Sequence, residues 1–217
     1  CDGIIERYRV RAEIDGRKGL AAALGQVPKR GARSYYEALL TVKFMVYALR
    51  LNRNVHTPLG RFDQYMKPYY ELSKNVGATD EGIKELTELF FISLNFDTDI
   101  YLGVQTGDNG QSMVLGGVTP DGEDGANALT EICLAASEEL KLIDPKINLR
   151  VNERTPLSVY ERGTRLTKQG LGFPQYMNDD VVIPALTAWG YDERDARNYA
   201  VAACWEFIMS GNAADIP

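Results

Sequence analysis

The chain has 217 residues, of which 45% are hydrophobic and 25% charged, with a formal net charge of −6. That is the profile of an ordinary globular protein with room for one sizeable core. The acidic balance and the lack of a Lys/Arg cluster exclude a nucleic-acid partner. No apolar run reaches the roughly 18 residues that a membrane span requires, and no basic stretch precedes an apolar one as in a signal peptide. The three cysteines, Cys1, Cys133 and Cys204, are too few and too far apart for a disulfide framework or a zinc site. The single histidine, His56, excludes a multi-histidine metal centre. The start at Cys1-Asp2-Gly3 and the stop at Ile216-Pro217 both look cut from something longer.

In chain order, the Gly- and Lys-rich stretch from Ile14 to Gly31 reads as loop. Ser34 is placed to cap a helix carrying Tyr35, Leu39, Val42, Met45, Val46 and Leu49 at helical spacing. A second helix is expected after Thr57-Pro58, with proline in its first turn, and a third capped by Asp80 with Ile83, Leu86, Phe90 and Phe91 inward. Met113-Val114-Leu115 predicts a buried strand within a glycine-rich region, and Pro120-Asp121-Gly122 a turn. The spacing over Ala126–Leu142 predicts an amphipathic helix. Ile147–Val151 predicts a strand, Thr155-Pro156 the start of a helix, Asp179-Asp180 another, and Asp192 the cap of a short one. Tyr199–Ala203 is an apolar, strand-like run that ends at Cys204. Helices alternating with short apolar strands indicate an α/β architecture; periodicity does not distinguish an open sheet from a barrel.

The residues with chemical potential sit at the end of that last run. If the backbone is extended there, Cys204 and Glu206 point to the same side, and a thiol and a carboxylate face one cavity. The plainer alternative is a buried structural cysteine beside a surface glutamate. A Cys–His nucleophile using His56 would need the two residues to be close in space. The glycines between Gly103 and Gly117 fit neither a dinucleotide fingerprint nor a phosphate loop.

Five segments, in order, carry a resemblance: Gly60-Arg61-Phe62-Asp63-Gln64-Tyr65 with Pro68-Tyr69-Tyr70; Gly116-Gly117 with Asp121-Gly122, Asp124 and Asn127; Leu149-Arg150-Val151 with Thr155-Pro156; Gly172-Phe173-Pro174 with Asn178-Asp179; and Cys204-Trp205-Glu206. Together they resemble the pyruvate formate-lyase-like glycyl radical enzymes. The resemblance implies that residues 1–217 form the central part of one ten-stranded α/β barrel ringed by helices. It implies that Cys204 forms a thiyl radical and that Glu206 is the general base of the Cys-x-Glu dehydratase, lyase and decarboxylase branch. Burial beside Trp205 is expected to raise the Glu206 pKa. Acyl transfer of the formate C-acetyltransferase type is the alternative, but Ala203 stands where that enzyme has a second cysteine. A non-catalytic homologue or fragment is another.

The same resemblance implies a small-molecule substrate, with Asn54, His56 and Trp205 as contacts. Asp215 is a pocket candidate by its nearness in sequence to the cysteine loop. Arg53-Asn54-Val55-His56-Thr57 departs from the Ser-Asn-Gly-His-Ser run common in diol dehydratases, which argues against a simple diol. No metal and no organic cofactor are implied in this chain. The radical is expected on a glycine outside it, since no Arg-Val-x-Gly-Tyr sequence occurs. An S-adenosylmethionine-dependent iron–sulfur activating enzyme, a homodimer, a cytoplasmic location and anaerobic metabolism are implied as well.

Overall fold

The computed structural model describes residues 2–51, 56–96 and 110–211. Its elements run α1 (Asp2–Ile14), α2 (Lys18–Gln26), α3 (Tyr35–Leu51), β1 (Gly60–Arg61), α4 (Phe62–Asn75), α5 (Asp80–Leu94), β2 (Ser112–Gly116) and α6 (Ala128–Leu140). They continue with β3 (Lys146–Val151), α7 (Leu157–Thr167), β4 (Gln175–Asn178), α8 (Asp179–Ala188), α9 (Glu193–Arg197), β5 (Tyr199–Ala202) and β6 (Glu206–Met209). Strands β1 to β4 form one parallel sheet in sequence order, and β5 and β6 form a separate antiparallel hairpin.

Strand alternation divides the core. Met113, Leu115, Ile147, Leu149 and Val151 point to one face of the sheet and bury against helices α3 to α7 in the larger apolar cluster. Val114 and Met177 point to the other face, where they pack on Tyr199, Val201 and Met209 of the hairpin and on Leu186 and Ala196 of α8 and α9. The register pairs Val114 with Asn148 and Gly116 with Arg150, so those β3 side chains share the hairpin face. Strands covered on both faces are characteristic of parallel sheets and explain why β2 is buried at every position.

Ser34 accepts from the Glu37 N–H and caps α3 as expected. The cap of α5 is Thr79, whose side chain accepts from the Gly82 N–H, with Asp80 the first helical residue. Two further expectations fail. Residues 14–31 are not loop, because Lys18–Gln26 forms a helix that buries Ala21, Ala23 and Leu24. Its short apolar face is masked in the sequence by flanking Gly and Lys residues. The helix expected after Thr57-Pro58 starts only at Phe62, because Gly60-Arg61 first pairs with Met113-Val114 as a strand. Leu186 of α8 is buried, whereas Trp189 at the end of that helix is 77% exposed. Among the described residues no helix is long and apolar enough to cross a membrane.

Candidate active-site loop

Ala202 pairs with Glu206, so Ala203, Cys204 and Trp205 form a three-residue hairpin turn. The extended backbone expected through Cys204 is therefore a turn, and the two side chains do not align by strand alternation. The carboxylate instead meets the backbone of Cys204. Glu206 folds its carboxylate back over the turn, and its Oε2 accepts from the backbone N–H of Cys204 at 3.0 Å and of Trp205 at 3.1 Å. Cys204 is an exposed free thiol, in contrast to the buried Cys133. The buried-cysteine alternative is thus excluded for Cys204.

The Glu206 pKa moves opposite to the expectation. Partial burial raises it, but the N–H groups of Trp205, Glu206 and Cys204 and the charge of His56 together hold it below its ordinary value. Trp205 supplies no apolar wall, because its side chain is 57% exposed and does not pack behind the loop. His56 bears on Glu206 electrostatically. Its ring lies over Gly110, where a Cβ would stand 2.0 Å from Nδ1. Asn54 and Asp215 lie outside the described residues.

The hairpin is fastened to the sheet at both ends. Near its tip, the Ser112 hydroxyl donates to the Ala203 carbonyl at 2.9 Å. At its base, Arg150 Nη1 donates to the Tyr199 carbonyl at 2.7 Å, and its guanidinium lies 3.8 Å from the centre of the Tyr199 ring. The same guanidinium makes a bidentate pair with Asp179, Nε to Oδ1 at 2.9 Å and Nη2 to Oδ2 at 2.8 Å, with both side chains wholly buried. The Tyr199 hydroxyl, which burial keeps protonated, donates to Asp179 Oδ1 at 2.7 Å.

Two further buried charged residues, Arg61 and Asp63, flank this pair. Arg61 donates to the carbonyls of Gly116, Val118 and Arg197 and to Asn198, and burial together with the nearby Arg150 charge holds its pKa down to about 10. Asp63 accepts from the Gly116 N–H, the Thr130 hydroxyl and Gln64. The segments noted in the sequence thus form one hydrogen-bonded frame behind the cysteine loop. Sequence reasoning left Ser112, Arg150 and Asp179 without individual roles. The available signal was an arginine inside the apolar run Ile147–Val151, which demands a buried acid.

Residues 16–216 match the family described as Pyruvate formate lyase-like. The chain is 32% identical over 192 residues to an isethionate sulfite-lyase of Bilophila wadsworthia, covering 84% of this chain and 23% of that protein. A structure described for 1,2-propanediol dehydration in Roseburia inulinivorans superposes with a TM-score of 0.84 at 30% identity, covering 95% of this chain and 28% of that one. The glycerol-bound B12-independent glycerol dehydratase from Clostridium butyricum gives 0.81 at 32%, covering 92% and 27%. The chain therefore spans about a quarter of the length of the relatives it matches. Family match, relatives and superposition agree with the parallel sheet and its cysteine hairpin: the chain belongs to the pyruvate formate lyase-like family of glycyl radical enzymes.

Proposed function

We propose that this chain carries the thiyl half of a radical lyase site, with Cys204 as the hydrogen-transferring residue and Glu206 as the base. One observation carries the reading: an exposed thiol stands in a three-residue turn, the carboxylate of the next residue folds over that turn, and the hairpin is fastened to a rigid parallel sheet. The relatives include a sulfite-lyase and dehydratases, which favours elimination from a small organic substrate. Decarboxylation is the other chemistry found among them. Closure of these strands into a ten-stranded barrel with the rest of the protein belongs to the same proposal.

The radical stored on a glycine outside these 217 residues supplies one-electron hydrogen abstraction. The accessible Cys204 thiol fits that partner, because it has no disulfide and stands at the tip of its loop. Its sulfur gives up one hydrogen atom, then takes one from a substrate carbon, which re-forms S–H and leaves the unpaired electron on that carbon. Glu206 takes the proton of the hydroxyl on that carbon as the adjacent carbon–heteroatom bond breaks and its group departs. The product radical takes a hydrogen atom from the Cys204 thiol, and the sulfur then takes back the one it first gave up, which restores S–H. The Glu206 bonds to Cys204 and Trp205 both end on Oε2, so Oε1 is the oxygen to meet the substrate. His56, Asn54, Trp205 and Asp215 are proposed pocket contacts. An S-adenosylmethionine-dependent iron–sulfur activase, a homodimer and a cytoplasmic, anaerobic setting complete the proposal.

The test uses the full-length protein, activated anaerobically. Cys204→Ser is expected to keep the fold and the glycyl electron paramagnetic resonance doublet while abolishing turnover. Turnover that survives this substitution refutes the reading.

A further inference from the structure

We propose that Ser112 is a positioning residue for the thiol, acting through the peptide unit that joins Ala203 to Cys204; this rests on the role given to Cys204 above. Ser112 opens β2, is wholly buried, and lies on the hairpin face of the sheet. Its hydroxyl donates to the Ala203 carbonyl at 2.9 Å. The N–H of the same peptide unit, that of Cys204, donates to Glu206 Oε2 at 3.0 Å. One peptide plane is therefore held at its oxygen by the sheet and at its nitrogen by the carboxylate.

Ala203 shows what the grip does. Its φ is +45°, a left-handed conformation that disfavours residues with a Cβ. This kink redirects the chain between Ala202, paired in the hairpin, and Cys204 at its tip. Without the Ser112 bond, Ala203 is free to relax toward ordinary dihedrals, and the plane that sets the direction of the Cys204 side chain rotates with it. Hydrogen-atom transfer requires sulfur and carbon at contact distance, and displacement of a reacting group by about 1 Å costs on the order of 100-fold in rate. Ser112 touches no reacting atom in this scheme; it fixes where the sulfur stands.

The experiment compares Ser112→Ala, Ser112→Ala/Ala203→Gly and Cys204→Ser in the activated full-length enzyme. Ser112→Ala is expected to keep the glycyl doublet and a KM within about twofold of the parent, and to lose tenfold or more in kcat. Collapse of the doublet in deuterated water, which reads thiol-mediated exchange without substrate, should slow in parallel. Glycine adopts the left-handed conformation without penalty, so Ala203→Gly in the Ser112→Ala background should recover threefold or more of the lost kcat. A simple packing defect at Ser112 would not be repaired from residue 203.

Parent-like kcat and exchange in Ser112→Ala, or no recovery in the double variant, overturns the proposal. If Ser112→Ala does not accumulate folded, Ser112→Cys, a weak donor of similar size, replaces it with the same two outcomes. Activity in Cys204→Ser would instead sink the underlying assignment. An inactive Cys204→Ser beside a parent-like Ser112→Ala sinks only the role of Ser112.

Discussion

Arg150 Nη1 donates to the carbonyl of Tyr199 at 2.7 Å, so the first residue of the hairpin that presents the thiol hangs from a charge buried in the sheet. The guanidinium also serves Asp179 twice and the Arg197 carbonyl once. No lysine can span those acceptors. Arg150→Met leaves Asp179 buried without its cation and is expected to cost about 3–5 kcal/mol. Arg150→Lys should recover less than half of that. In a double-mutant cycle with Asp179→Asn, the pair should lose less than the sum of the singles, read from urea unfolding. Strict additivity would mean that the two residues do not act as a unit.

Gly117 shows why this frame tolerates no side chain. Its φ is +81°, and a Cβ there would stand 2.5 Å from Arg150 Nε and 2.8 Å from Asp179 Oδ2. Gly172 has nearly the same dihedral, +82°, but no atom within 4 Å of such a Cβ. Gly172→Ala should therefore cost only the backbone penalty of about 1–2 kcal/mol. Gly117→Ala should cost that and the ion pair together, about 3 kcal/mol or more. Equal losses in thermal unfolding would show that the close approach is relieved elsewhere.

These cases show what the sequence could and could not convey. Strands β2 and β3 were legible because Met113-Val114-Leu115 and Ile147–Val151 are short apolar runs between turn signals. The short helix over Lys18–Gln26 was not, because glycine and lysine weaken the local signal that tertiary burial of Leu24 overrides. Cys204 and Glu206 are legible as near neighbours at the end of an apolar run, but the turn between them is not. Two residues apart on a strand means one shared face, whereas two residues apart across a hairpin turn means a carboxylate folded over backbone N–H groups. Arg150 and Asp179, 29 residues apart, meet because β3 and α8 converge, and nothing local in the sequence marks that distance.

Thr130 links α6 to the second buried acid. Its hydroxyl donates to Asp63 Oδ2 at 2.6 Å and accepts from the Asn127 N–H at 2.9 Å. Burial raises the Asp63 pKa above its ordinary value, and the Thr130, Gly116 and Gln64 donors restrain that rise. Thr130→Val keeps the volume and removes the hydroxyl, at an expected cost of about 1–3 kcal/mol. Losing a donor disfavours the carboxylate more than the acid, so the folded-state pKa climbs further. A raised carboxyl pKa favours the folded state most below the unfolded value, and that advantage fades as pH rises through the folded one. The Thr130→Val penalty should accordingly be larger at about pH 7 than at about pH 4 in paired urea titrations. A pH-independent penalty would assign the loss to the Asn127 cap alone.

Glu206 gives the clearest kinetic test, because its pKa lies below the ordinary 4.5 rather than above it. Such a carboxylate is already ionised near neutrality and needs no deprotonation before it acts. The acid limb of kcat/KM due to Glu206 should therefore lie below the ordinary glutamate range. The profile above that should report other groups. Glu206→Gln can still accept the Cys204 and Trp205 N–H bonds through its amide oxygen, so the turn should survive. It cannot take a proton, and kcat should fall by about 10²- to 10⁴-fold. Thiol chemistry should continue in that variant, so the glycyl doublet should form and exchange with deuterated water at the parent rate. A kcat above about a tenth of the parent would remove Glu206 from the role of base. An acid limb near pH 6–7 that disappears in Glu206→Gln would place the base elsewhere on the pH scale. It would mean that the backbone N–H groups do not hold Oε2 in the free enzyme, because kcat/KM reports the groups of the unliganded protein.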